Sequence, residues 1–328
     1  MFDKIKIIKY FVLIVSAFQI TLAKEVLPIE ILLTGEAAER SLEMSGLAWY
    51  NDYLILMPQY VNESKPKFYY LKKSKINDWL NGDRDKPLDP AEINVIMPDY
   101  FNSIKGYQGF EAICFIGNKA YLIIETKDDD LMKSFIIKGS MDIKNKVLII
   151  DSEKKVEILL PLNIKNMGYE SILKYKYRLM VLFEANGINV NSNPKASFYN
   201  SSLKQKGHIS FPNIEYRITD VTELDNQGRF WAINFFWPGE AKRLKPGKDL
   251  VLNNNVKGET HQKFEHVERL VEFKIDGNKI YKTNSPPIQL ELNKNSRNWE
   301  GLVRMDKKGF LMIVDEHPRT ILAFVKKP

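Results

Sequence analysis

Five polar residues open five similar stretches of this chain: Ser45, Glu111, Glu170, Thr219 and Glu300. Each leads into a short apolar run, as in Ser45-Gly46-Leu47-Ala48-Trp49, Glu111-Ala112-Ile113-Cys114-Phe115 and Glu300-Gly301-Leu302-Val303. If these openings meet, three carboxylates and two hydroxyls face one another. Burial and mutual repulsion then raise the carboxyl pKa values unless a cation compensates. An all-oxygen set without His or Cys suits a hard cation, and Ca²⁺ accepts irregular coordination by about 6–8 oxygens more readily than Mg²⁺ does. The expectation is one central Ca²⁺ held by Ser45, Glu111, Glu170, Thr219 and Glu300. The alternative is that these acids cap strand ends and pair with Lys or Arg.

A second set of polar residues follows each apolar return: Gln59, Glu125, Glu184, Asn234 and Asp315. A hairpin brings its second strand back to the face where the first began, so these residues and those just after them are expected to border a mouth above the ring. That mouth would gather Tyr60, Lys127, Asn186, Trp237, Glu316, His317 and Arg319 as well. Glu125, Glu184, Asp315 and His317 are the candidate acids, bases or water-positioning groups. Gln59, Lys127, Asn234, Trp237 and Arg319 are the candidate substrate contacts, the two cations for substrate charge. The remaining histidines, His208, His261 and His266, share no metal-ligand spacing and are expected in outer strands or an insertion.

The elements that must position these groups read as strands. Runs of Val, Ile, Leu, Phe and Tyr are broken by Asn, Asp, Gly and Lys turns, and Ser74 to Asn81 alone reads as a helix. The opening residues of the five hairpins lie 66, 59, 49 and 81 positions apart, a spacing suited to four-stranded blades with unequal loops. The longest insertion is expected at Trp237 to His261, a Pro-, Gly- and Asn-rich stretch. After Trp299 three strands remain, while Pro28 to Leu33 forms an orphan strand near the start. The pattern therefore predicts an all-β fold: a single five-bladed β-propeller over residues 24–328, closed by the N-terminal strand. Six blades is the variant, and a β-sandwich with loosely repeated hairpins is the alternative.

Lys4, Lys6 and Lys9 precede an apolar stretch from Tyr10 to Ile20 that ends in Thr21-Leu22-Ala23. This is the pattern of an export signal over residues 1–23, too short in its apolar part to span a bilayer, and it predicts a periplasmic or secreted protein without a membrane anchor after processing. The one cysteine, Cys114, has no partner in the chain and is expected to be buried and inert. A formal charge of +7 is mildly basic and does not imply nucleic acid. Nucleophile-elbow, Walker, dinucleotide and zinc-protease motifs are missing from the sequence.

Gly109-Phe110-Glu111-Ala112-Ile113 and Asn298-Trp299-Glu300-Gly301-Leu302 resemble the hairpin openings of the esterase-like phytase domain, an exported propeller family. Ser45-Gly46-Leu47 and Ile218-Thr219-Asp220-Val221, followed by Gly228-Arg229-Phe230, are similar to its other openings. The order Ser, Glu, Glu, Thr, Glu also resembles the channel ring of the soluble calcium-activated nucleotidases, which are five-bladed and hold one Ca²⁺. That resemblance implies calcium-facing roles for the ring residues. Those nucleotidases, however, carry Asp-Asp-Arg-Thr-Gly where this chain has Met57-Pro58-Gln59-Tyr60-Val61. Two functions are consistent with these observations. One is a hydrolase of phosphate or carboxylate esters. The other is a noncatalytic exported protein that binds a carbohydrate or protein partner through Tyr60, Phe236 and Trp237, its ring metal purely structural.

Overall fold

The computed structural model describes residues 24–82, 84–97, 104–252, 256–315 and 317–328. The expected export signal, Glu316 and Asn253 to Asn255 lie outside the described residues. The chain is all-β. Strand β1 (Ile29–Ile31) stands apart in sequence from the unit it completes. The first antiparallel unit is β2 (Met44–Tyr50), β3 (Tyr53–Pro58), β4 (Lys67–Lys72) and β5 (Ala91–Ile96). The second is β6 (Tyr107–Ile116), β7 (Lys119–Asp128), β8 (Leu131–Asp142) and β9 (Val147–Ile158). The third is β10 (Tyr169–Tyr175), β11 (Arg178–Phe183), β12 (Lys195–Asn200) and β13 (Gln205–Ser210).

The fourth unit is β14 (Arg217–Val221), β15 (Arg229–Phe236), β16 (Val267–Asp276) and β17 (Lys279–Lys282), with the short β18 (Ile288–Gln289) on the free part of β16. The last is β19 (Trp299–Met305), β20 (Gly309–Val314) and β21 (Ile321–Lys326), and β1 adds to β21 as its fourth strand. The expected closure by the N-terminal strand is thus present. Outermost strands of two pairs of units also join in parallel, β5 with β9 and β13 with β17, which covers edges that would otherwise invite pairing with other chains.

The first strands touch in a closed circuit, β2 to β6 to β10 to β14 to β19 and back to β2, a propeller-like arrangement. Alternation along the strands sends apolar side chains between neighbouring units. One such layer is Leu54, Leu56 and Tyr69 of the first unit against Val303, Leu311, Ile313 and Phe324 of the last. Expected and observed helix agree closely, since α1 spans Lys73–Asn81 and buries Ile76, Trp79 and Leu80. The insertion departs from a plain loop: it carries short helices at Ala241–Leu244 and Glu259–Lys263. Charge pairing orders it. Arg269, fully buried on β16, forks onto Asp249 at 2.7 and 2.9 Å, and Glu215 accepts from the Gly247 N–H at 2.9 Å. Glu25 likewise accepts from the backbone N–H groups of Thr260 and His261, each at 3.0 Å.

Arg319 grips Glu30 of β1 with two nitrogens, at 2.6 and 2.8 Å. The pair is largely exposed, so most of the closure energy resides in buried Ile31. Ile31→Ala is expected to cost about 2–4 kcal/mol in denaturant unfolding, against no measurable change for the exposed Leu27→Ala; equal effects of the two would contradict the closure.

Candidate functional site

All five ring residues sit at the same kind of backbone irregularity. Register slips between Met44 and Gly46, Phe110 and Ala112, Tyr169 and Ser171, Ile218 and Val221, and Trp299 and Gly301. Ser45, Glu111, Glu170, Thr219 and Glu300 are therefore residues within β-bulges, which re-aim a side chain out of the normal strand alternation. The residue that follows is often small because the next first strand comes close. A Cβ on Gly301 would lie 2.8 Å from Leu47 Cγ and 3.0 Å from Leu47 N.

The hydroxyl members of the ring fasten neighbouring units. Ser45 Oγ donates to the Phe110 carbonyl and Thr219 Oγ1 to the Trp299 carbonyl, both at 2.5 Å. The carboxyl members meet a cation that the sequence reading missed. Arg217, buried at the start of β14, donates through Nη2 to Glu170 Oε1 at 2.7 Å and through Nε to Glu184 Oε2 at 2.6 Å. The same Nη2 lies 3.7 Å from Glu300 Oε1, and Nη1 lies 3.5 Å from Glu240 Oε1. Glu184 is further fixed by the Gly168 N–H at 2.7 Å.

Around this hub the acids outnumber the base. Glu111 accepts from Gln59 Nε2 at 3.1 Å, and Asn298 Nδ2 bridges Glu300 Oε1 at 2.5 Å and Asp315 Oδ2 at 2.7 Å. Burial is the first cause that pushes Glu111, Glu170 and Glu300 well above the usual carboxylate range, and neighbouring acids add to it. Partly buried Glu125 is pushed up to about 8 by desolvation and then by Glu184. Glu184 and Asp315 are raised too, again first by burial; the charge and hydrogen bond of Arg217 work against the rise at Glu184. Burial and mutual repulsion thus favour the neutral forms of these groups. Among the described residues no group of three or more His, Cys, Asp or Glu is arranged to hold a metal ion.

A cavity of about 720 Å³ opens above the hub. Its floor includes Arg217 and Asn298, its wall Glu240, Arg243, His266 and His317, and its rim Trp237. Trp237 is 52% exposed, and its ring lies so close over Gly239 that a Cβ there would meet it at 2.2 Å. Glu240 Oε1 accepts from Arg243 at 3.1 Å, while its buried Oε2 has no hydrogen-bond partner among the described residues. Asp315 lies directly behind this wall, accepting from the His317 N–H at 2.8 Å. The far end of the same circuit of first strands has a different character. There a cavity of about 740 Å³ is lined by Leu47, Ile113, Cys114, Ile172, Val221 and Leu302.

The candidates from sequence divide accordingly. Trp237 and His317 line the mouth cavity and Asp315 backs it; Glu125, Glu184 and Gln59 belong to the acid cluster beneath. Asn234 is fully buried, donating to the Glu215 and Arg217 carbonyls and accepting from Arg269, so it positions the strand that carries Arg217 rather than a ligand. Arg319 is engaged with Glu30, and Lys127 is absent from the cavity lining. Phe236 is buried against Tyr216, whereas Tyr60 is 39% exposed above the cluster, its phenol pushed up to about 12 by burial and then by Glu43, Glu111 and other acids. Cys114 is buried, as expected. Arg217, Glu240, His266 and Asn298 were missed. Arg217 and Asn298 each stand two residues before a ring residue, where two other units have Gly109 and Gly168, and that shared offset was the available signal.

No family model matches the chain, and no curated protein matches it. Among solved structures it is similar to a member of the GH130 family of mannoside phosphorylases, described as containing glycoside hydrolases that target β-1,2-mannosidic linkages in Candida mannan. The identity is 8%, with 88% of each chain covered and a TM-score of 0.50. It is similar as well to a Bacteroides ovatus protein classed with the glycoside hydrolases, at 10% identity, 88% coverage of each chain and a TM-score of 0.50. At these identities the likeness concerns the fold alone, and it is an all-β, propeller-like one.

Arg217→Met leaves four acids without their shared cation and is expected to destabilise the protein by about 3–5 kcal/mol. The raised carboxyls also set a pH dependence. Their protonated folded forms lose stability relative to the unfolded chain as pH climbs above the unfolded carboxyl pKa, and for Glu125 the loss runs from about 4.5 to about 8. Melting temperature in metal-free buffer should therefore fall across that interval, and Glu125→Gln should flatten the fall; a melting temperature that rises toward pH 8 would contradict the protonation pattern.

Proposed function

We propose that the five four-stranded units are the blades of a five-bladed propeller and that its mouth cavity binds a carbohydrate and cleaves a glycosidic bond. The observation that carries this reading is the cavity itself. A half-exposed Trp ring, suited to stacking on a sugar face, stands over a wall of amide, His and carboxyl groups, with buried carboxylic acids beneath. The glycoside-active proteins that share the fold are consistent with it. The ester hydrolysis implied by the phytase-like hairpin openings has no comparable support, because no feature of the cavity selects an ester over a glycoside.

In this reading Glu240 and Asp315 form the working pair of carboxyls. Glu240, which lines the cavity and is ion-paired with Arg217 and Arg243, takes a proton from the attacking water. Asp315, steadied by Asn298 and the His317 backbone and raised in pKa by burial, gives its proton to the leaving glycosidic oxygen. Arg217 anchors Glu240 through Nη1 and holds Glu170 and Glu184 behind the site, which makes it a positioning residue. The charged and apolar pattern of residues 1–23 supports export, in keeping with a glycan-directed role.

A second reading keeps Ca²⁺ in the ring. It rests on the surplus of acids over Arg217 and on Glu170 Oε2, buried without a recorded hydrogen-bond partner among the described residues. Carboxylates of Glu111, Glu170 and Glu300 would hold the ion, which would neutralise charge at the hub, while the Ser45 and Thr219 hydroxyls already donate to carbonyls of the neighbouring strands.

Trp237→Ala is expected to weaken oligosaccharide binding about tenfold or more with melting unchanged. Glu240→Gln should lower kcat by a factor of about 10²–10⁴ while leaving binding intact; sugar binding without turnover in the native protein would instead establish a binding protein. Added Ca²⁺ should leave the melting temperature unaltered if protons and Arg217 balance the acids, whereas an EDTA-reversible rise would establish the calcium reading.

A further inference from the structure

The mouth cavity is richer in cations than a neutral ligand requires. Arg217, Arg243 and Lys294 line it, and Glu240 is the one acid among the described lining residues. That acid is already balanced, with Arg217 at 3.5 Å and Arg243 at 3.1 Å from the same oxygen. Arg217 in turn is matched by Glu170 and Glu184 below the floor. Lys294 has no such match: it is exposed, it lies in the cavity wall, and it makes no ion pair or side-chain hydrogen bond among the described residues. Glu111 and Glu300, which make no close ion pair with Arg217, contribute little opposing field, because burial favours their neutral forms.

We propose that the ligand of this cavity is an acidic sugar, its carboxylate or sulfate group held by Lys294 with support from Arg243 while Trp237 stacks on the ring. This deepens the carbohydrate reading and rests on it. The lining favours an anion over a neutral hydroxyl group, since an ammonium unpaired among the described residues, in one cavity with two guanidiniums around a single carboxylate, attracts negative charge and steers it to the site. Trp237, fixed over Gly239, sets where the sugar plane lies relative to these cations.

The test is a glycan array probed with the full mature chain, carrying neutral, uronate-containing and sulfated oligosaccharides, followed by titration of the strongest members at low and high salt. The expected result is binding confined to acidic members, weakened by salt and reduced about tenfold by Lys294→Gln, a substitution at an exposed position that should leave melting unchanged. Uronate and sulfate members separate the two sources of negative charge. Strongest binding to neutral members, or full affinity in Lys294→Gln, would overturn the acidic-sugar proposal and leave the carbohydrate reading standing. Loss of acidic-sugar binding in Trp237→Ala with Lys294→Gln also affected would support both. Absence of binding to every sugar would overturn both.

Discussion

One guanidinium among buried carboxyls governs this molecule. Arg217 reaches four acids, and three more lie close enough to shift or be shifted by the group. A single positive charge cannot balance so many negative ones in a medium that solvates charge poorly, so burial favours protons on several of the acids. The consequence is a cluster of carboxyls biased toward their neutral forms beneath the mouth cavity. Groups of this kind are what the proposed general acid step requires near neutral pH.

The fold delivers these side chains by a repeated local device. Each first strand begins with a bulge, and the bulge, rather than the regular pleat, turns the ring side chain toward its counterparts. Hydroxyls at two of the five bulges then donate to a carbonyl of the next first strand, which ties adjacent units at the level of the acids. Below that level the first strands become apolar, with Leu47, Ile113, Ile172, Val221 and Leu302 closing around the far cavity. The polar and apolar ends of one circuit of strands thus have separate chemistries.

Much of the fold was legible in the sequence. Five hairpin openings and the orphan N-terminal strand follow from short apolar runs bounded by turn residues, and the helix after β4 from the helical spacing of Ile76, Trp79 and Leu80. The ring was legible for the same reason, since bulge residues recur at equivalent places. The charge balance was not. Arg217 lies two residues before Thr219, in a layer where other units have glycine, and nothing local marks it as the partner of Glu170, Glu184, Glu240 and Glu300, which are scattered over 130 positions of sequence. Glu240, His266 and Lys294 were obscured differently: they belong to the insertion or to an irregular segment, where patterning carries no information about which side chains face the cavity.

The most direct measurement is isotope-edited infrared spectroscopy of the protein labelled at Glu carboxyl carbons, in metal-free buffer at pH 7. Burial around Arg217 requires carbonyl bands of neutral carboxylic acids, diminished in Glu170→Gln. A spectrum containing ionised Glu carboxylates alone would contradict the account at its root.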